Sequence, residues 1–306
     1  MRQFEMEGNL IEYPRKMREH EHHLLDSTVW NDIEFRHDDI FIVAYSKSGT
    51  TWVQQIVAQL IWNGAEGIVL SEVSPWIDCR FPSKEERLEI VEQQTHRRFL
   101  KSHLPVDTLV FSPTAKYIYI GRDGRDVLWS LYNHHRIFKE DVIESIDSVP
   151  ERTGLPLGEA PTSVIDYFRS WLSKDGYPWW PYWEHIYSWW EIRNLPNVKL
   201  LHFSNLKRDM PGEIRRIAAF LDIPIDETKW EAILEHCSFA YMKAHADQSV
   251  PFGGDIFEGG GEKFMHKGVN DRWRDVLSSD DIYHYEQVAY EKLGAECARW
   301  LSTGEL

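Results

Sequence analysis

Residues Phe41-Ile42-Val43-Ala44-Tyr45-Ser46-Lys47-Ser48-Gly49-Thr50-Thr51-Trp52 divide into three parts. The first is an apolar, β-rich run of the kind that fills a buried strand. A short polar turn around Gly49 follows. From Thr50 onward, Trp52, Val53, Ile56, Val57, Leu60 and Ile61 recur at helical spacing. The stretch reads as strand, tight loop and helix. That arrangement aims free backbone N–H groups and the positive helix end at one point, where an anion is favoured. Ser48, Thr50 and Thr51 add hydroxyl donors, and Lys47 adds a full positive charge. Strand–loop–helix units are common, and a loop lysine is usually solvated. Here a glycine, three hydroxyls and a lysine fall within residues 47–51, which tips the reading towards a phosphate-binding loop. It is not a Walker A loop, in which a second glycine immediately precedes the lysine; here Lys47 comes before Gly49.

The chain has 306 residues, 42% hydrophobic and 27% charged, enough apolar material for a substantial core. Its net charge of −15 argues against a nucleic-acid or anionic-membrane surface. It also makes any clustering of Lys and Arg more informative. No apolar run approaches the length of a membrane span. Met1 to Tyr13 is charged and lacks the apolar centre of a signal peptide. The three cysteines, Cys79, Cys237 and Cys297, are far apart and form no Cys-x-x-Cys pair. They suit a reducing cytoplasm, with no disulfide framework and no zinc site expected. Fourteen tryptophans are many, and although most should be core, the count leans towards an apolar or aromatic ligand.

Further along, strands and helices alternate. Arg97 to Pro105 reads as a short strand entering a loop, and Lys116 to Ile120 and Val198 to Phe203 as strands. Helices are expected over 84–94, 123–138, 163–173, 211–221, 227–236 and 279–292. The segments 64–82, 141–160 and 252–261 carry the Pro and Gly of loops, the last with five glycines and mobile. Trp179, Trp183, Ile186 and Trp190 share one helical face, read as a core stripe rather than a ligand wall. Residues 1–38 are a polar, solvated lead-in. A metal reading of its His20, His22 and His23 is set aside for want of partner ligands. The expectation is an α/β fold: a single domain over 1–306, core about 39–300, with a central parallel sheet flanked by helices on both faces.

Two more stretches could bind anions. Arg122 falls where a strand ends and a helix begins, and Ser130 lies two helical turns later. The alternative for Arg122 is a helix-start charge paired with Asp123 or Asp126. Arg125 is read as a structural charge. Lys267 and Gly268 follow a glycine-rich loop. Between the strands, Lys101-Ser102-His103-Leu104-Pro105 offers a cation and an imidazole.

The segment Tyr45 to Trp52 resembles the 5′-phosphosulfate loop of the cytosolic sulfotransferases, Tyr-Pro-Lys-Ser-Gly-Thr-Thr-Trp, with Ser46 in place of Pro. These enzymes move a sulfuryl group from 3′-phosphoadenosine-5′-phosphosulfate (PAPS) to a hydroxyl or amine, releasing 3′,5′-bisphosphoadenosine (PAP). The resemblance runs from about residue 38 to 275, with the motifs in family order. It implies that Lys47, Ser48, Gly49, Thr50 and Thr51 hold the 5′ end, and that Arg122 and Ser130 hold the 3′-phosphate. His266-Lys267-Gly268 is similar to the family's Arg-Lys-Gly, which assigns Lys267 and Gly268 to the 3′-phosphate as well. His266 stands where the family has Arg, and is only partly protonated at neutral pH. Trp52 and Phe239, the latter in a segment similar to Thr-Ser-Phe-x-x-Met-Lys, are implied adenine neighbours. Lys101-Ser102-His103-Leu104-Pro105 is similar to Lys-Thr-His-Leu-Pro, which makes His103 the general base and Lys101 an accessory. No metal is implied. The family's C-terminal dimer motif is not evident, so a homodimer by that route is not expected. The acceptor implied is a small lipophilic or aromatic alcohol or phenol. The competing readings are a nucleotide or nucleoside kinase, and a non-catalytic protein that binds PAP.

Overall fold

The protein is described by a computed structural model covering residues 5–6, 9–149 and 156–306. Four strands form its main sheet: β1 (Ile40–Val43), β2 (Phe99–Ser102), β3 (Lys116–Gly121) and β4 (Val198–His202). The order is β2-β1-β3-β4, and every pairing is parallel. The chain leaves β1 for β2 on one side and returns to β3 on the other. The crevice beyond the carboxyl end of β1 is therefore the topological switch point, where open α/β sheets bind ligands.

Side-chain alternation along the strands sorts the core into two layers. Ile40, Ile42, Ala44, Phe99, Ile118, Ile120 and Leu201 face one way. There they meet Val53, Ile56, Val57 and Leu60 of helix α1 (Thr50–Ile61) and Ile214, Ile217 and Leu221 of helix Met210–Leu221. Phe41, Val43, Tyr45, Leu100, Tyr117 and Tyr119 face the other way, into an aromatic layer with Trp30, Trp171, Trp180, Trp189 and Trp300. Helix α2 (Gly124–His135), helix Val164–Ser173, helix α3 (Tyr182–Glu191) and the C-terminal helix α4 (Ser279–Thr303) build that layer.

Four expectations change. The lead-in is not solvated over 22–30: Leu24, Leu25, Val29 and Trp30 are buried, as are His22 and His23, whose rings lie 3.5 Å apart. The apolar residues after His23 cover the aromatic face of the sheet, and they carry the histidines inward. The segment 141–160 is not all loop, because Glu140–Asp147 is helical. Pro150 and Gly154, which argued for a loop, lie outside the described residues, as do 1–4 and 7–8 of the segment inspected for a signal peptide. The last helix continues past Lys292 to Thr303, broken at Gly294 and stopped by Gly304 in the left-handed conformation. The glycine-rich stretch holds two short helical turns, Pro251–Gly254 and Gly260–Phe264.

Candidate active site

The loop after β1 and the start of α1 follow the expected strand–loop–helix path. Lys47 has φ 68° and Gly49 has φ 116°, both in the left-handed region. A side chain at Gly49 would also meet Phe203 at 2.9 Å, so only glycine fits. Gly49 caps α1 without a side-chain acceptor, which leaves amides of the first turn available to a ligand. Ser48 Oγ is buried and unpartnered.

Three neighbouring strand ends feed one site. Lys47 follows β1, Lys101 and His103 end or follow β2, and Arg122 follows β3. All line one cavity of about 690 Å³, together with Gly49, Thr50, Thr51, Trp52, Ser130, Phe239, His266, Lys267 and Gly268. Of the expected site residues only Ser48 is not in the wall. Helix α2 supplies Asp126, Trp129, Ser130, Asn133 and His134, spaced on one face as helical geometry requires.

The electrostatics favour an anion. Burial, with Lys101 and Arg122 nearby, holds the Lys47 ammonium well below the usual lysine range. Its Nζ lies 3.5 Å from the centre of the Phe264 ring. Burial pushes Lys101 down to about 8, against the pull of Cys79 and Asp78. Its Nζ sits 4.1 Å over Trp76. Among the described residues, no carboxylate forms an ion pair with Lys47, Lys101 or Arg122. The pairing considered for Arg122 belongs instead to Arg125, which bonds Asp123 and Glu286 and packs 3.9 Å over Trp273. Arg122 donates to Lys47 O, Val269 O and Asn270 Oδ1, at 3.1, 3.3 and 2.9 Å. Converging unpaired cations with an orphaned buried hydroxyl suit a ligand carrying two phosphate-like groups.

His103 is held in one tautomer by its hydrogen bond to the backbone. Its Nδ1 lies 2.5 Å from Ala44 O, an acceptor only, so Nδ1 carries the proton and Nε2 keeps its lone pair. Burial, then Lys101, holds the ring well below its usual pKa and therefore neutral. Its backbone N–H donates to Asp78 Oδ2 at 2.9 Å. Burial pushes Asp78 up to about 6.

Some residues escaped the sequence reading. Asp78 and Asn270 meet their partners only through the fold; His134 stands in the wall without a motif to mark it, and Arg272, which replaces the Asp of the family's Gly-Asp-Trp, lines the wall without having been given a role. Arg272 donates to His266 Nδ1 at 3.2 Å, and His266 is lowered chiefly by burial, so positive charge here comes from Arg272. Trp179 is buried in the aromatic core, as expected, and has a second role. Trp183, Ile186 and Trp190 are core within α3, but Trp179 precedes that helix and lines the cavity. Trp52 donates Nε1–H to Cys237 O at 2.9 Å, and Phe239 packs against Gly268, where a Cβ would come within 2.8 Å of the ring.

Residues 37–296 match the sulfotransferase domain family. A glycolipid sulfotransferase of Mycobacterium bovis (strain BCG / Pasteur 1173P2) is 28% identical over 306 residues, covering 92% of this chain and 93% of that one. Sulfotransferase 1B1 of Mus musculus is 28% identical over 267 residues, covering 83% and 82%. Among solved structures, mouse sulfotransferase SULT7A1 complexed with PAP shares the fold with a TM-score of 0.68, at 23% identity and 90% coverage of both chains. Retinol dehydratase in a complex with retinol and PAP gives 0.67, at 24% identity and 87% and 84% coverage.

Proposed function

This chain belongs to the sulfotransferase family and is a PAPS-dependent enzyme of sulfuryl transfer; we propose that its acceptor is the hydroxyl of a small lipophilic molecule and that His103 takes the acceptor's proton. The observation that carries this reading is the polarity of the single cavity. In its wall Arg122 and Lys207 bond the backbone of Lys47, Val269 and Gly268, and Arg272 bonds His266, which gathers the cations at one end; a chain of ring contacts, Trp76, His103, Trp180, Trp179, Phe138 and Phe257, runs along the other. The cationic end suits a bisphosphorylated nucleotide and the aromatic end suits an apolar acceptor.

Each residue then has a task. The amides of residues 48–51 and the hydroxyls of Thr50 and Thr51 hold the 5′ end. Arg122 clamps the 3′-phosphate with Ser130, Lys267 and the Gly268 N–H, a planar fork suited to a static oxyanion. Trp52 and Phe239 flank the adenine. PAPS supplies the sulfuryl group, which passes in line to the acceptor oxygen as the bond to PAP breaks. Lys47 meets the charge that grows on the leaving oxygen. His103 Nε2 removes the proton of the acceptor hydroxyl, and Lys101 supports the reacting groups from beside it. Among the described residues no helix is long and apolar enough to cross a membrane. The three cysteines are free and buried, and we place the enzyme in the cytoplasm on that chemistry.

A relative's name adds direction: the mycobacterial protein is a glycolipid sulfotransferase. The test is a screen of phenols, sterols, fatty alcohols and glycolipids with radiolabelled PAPS. Label should appear in a lipophilic hydroxyl product. Transfer confined to charged polysaccharides, or no transfer to any hydroxyl, would overturn the reading.

A further inference from the structure

His134 lies in the cavity wall on the same face of α2 as Ser130, one turn further on. Four aromatic rings surround it: Phe138 at 4.8 Å, Phe257 at 5.0 Å, Phe264 at 5.3 Å and Trp179 at 5.8 Å between centroids. Its Nδ1 has no hydrogen-bond partner and no accessible surface, so a turn of the ring about χ2 is what offers that nitrogen to the cavity. A buried polar nitrogen left unpaired costs about 1–3 kcal/mol. An apolar side chain of similar shape would fill this cage without that cost. Two contacts fix its place. Phe264, against which His134 packs, also carries the Lys47 ammonium on its ring. Trp179, its other neighbour, packs edge-on to Trp180, which lies 5.7 Å from His103. His134 therefore stands beside the seam where the cationic and aromatic ends meet, separated from the base by a pair of indoles.

We propose that His134 is an acceptor-recognition residue that selects lipophilic acceptors bearing a second, neutral hydroxyl besides the one that is sulfated. This deepens, and rests on, the sulfotransferase reading of the cavity. A neutral partner is required on three grounds. Burial, with Lys47, His135, Lys101 and His103 close by, keeps the ring uncharged. The same lysines repel an ammonium. The four rings offer an ionised carboxylate no solvation. A hydroxyl both donates and accepts, so it satisfies an imidazole in either tautomer.

The experiment compares 2-naphthol with the isomeric naphthalenediols, using radiolabelled PAPS and the wild type, His134→Phe and His134→Gln. Phenylalanine fills the cage without a polar atom; glutamine restores an amide that can pair with a hydroxyl. The best diol should have a higher kcat/KM than 2-naphthol in the wild type. That ratio should fall about 10-fold in His134→Phe, mainly through KM, and recover in part in His134→Gln. PAP affinity, by calorimetry, reports whether each variant is folded at the site. Titration of the same compounds into the PAP complex reads the ratio without turnover. An unchanged ratio in both measurements would overturn the assignment of His134 alone. Wild-type binding of every compound and of PAP, with no sulfate transferred, would instead contradict the assignment of these acceptors to the reaction.

Discussion

The His103 Nδ1–H donates to the carbonyl oxygen of Ala44 across 2.5 Å, tying the proposed base to the residue that follows β1. The strand that delivers Lys47 to the anion site therefore also fixes the tautomer of the imidazole on β2. The proposed base and the proposed phosphate loop are positioned relative to each other through this one side-chain-to-backbone hydrogen bond.

Replacing His103 by Ala should lower kcat by about 10²–10⁴-fold and leave PAP affinity nearly intact, because the ring contacts the acceptor side. Steady-state rates and calorimetry on one preparation check both halves. A variant with near wild-type kcat would remove His103 as the base.

Binding of PAP should draw protons from solution. In the free protein Lys101 titrates at about 8, and Lys47 lies well below the usual lysine value. At pH 8 Lys101 is therefore partly deprotonated, and Lys47 is shifted in the same direction. Phosphate groups favour the ammonium form, so each pKa rises on binding and protons are taken up. Calorimetry at pH 8 in buffers of different ionisation enthalpy measures the number. Net proton release would contradict the placement of these lysines around the anion.

Arg122→Lys should weaken PAP much more than adenosine 5′-phosphate, which lacks the 3′ group. A lysine keeps the charge and loses the fork, at a cost of about 1.5–3 kcal/mol, or roughly 10- to 100-fold. Asn270→Ala should act in the same direction by less, since Asn270 accepts from Arg122 Nε and Nη2. Equal losses for both nucleotides would place Arg122 away from the 3′-phosphate.

Stability should fall as the protein is acidified below pH 6.5. Burial pushes His22 down to about 2, His185 to about 3, and His20 and His202 to about 4. An unfolded histidine titrates near 6.5. Between that pH and about 4 the unfolded chain binds protons that the folded chain refuses, so the stabilisation is complete above 6.5 and is lost on descent. Asp78 and Asp126, pushed up to about 6, act the other way, and two groups oppose four. Thermal melts from pH 7.5 to 5 should show a falling Tm. A rising Tm would mean that these imidazoles are not buried neutral.

Gly121→Ala should destabilise the fold by roughly 1–3 kcal/mol through overpacking. A Cβ there would lie 2.4 Å from the Trp300 ring. The urea midpoint checks it, and a midpoint equal to wild type would show that the C-terminal helix shifts freely.

What the sequence disclosed follows the range of the interactions involved. The loop at 45–52 and the turn at 121–130 were legible because adjacent residues build them, strand into helix, with the proposed anion ligands in or just after the turn. The aliphatic and aromatic layers follow from alternation along β1. The Asp78–His103 and Arg122–Asn270 contacts were not legible, since nothing local links His103 to Asp78 or Arg122 to Asn270 and only the assembled fold brings them together. The buried lead-in was hidden for a related reason. Its histidines look polar in isolation, and they are carried inward by Leu24, Leu25 and Trp30. The second role of Trp179 in the cavity wall was not legible, because a helical face was drawn through it, whereas Pro181 caps the helix after it.

The most direct measurement is a crystal structure of the protein with PAP. The account predicts the 5′-phosphate on the amides of residues 48–51 beside Lys47, the 3′-phosphate on Arg122 and Ser130, and His103 Nε2 facing the vacant sulfuryl position. A nucleotide bound with its phosphates exchanged, or bound outside the crevice at the ends of β1 and β3, would contradict it.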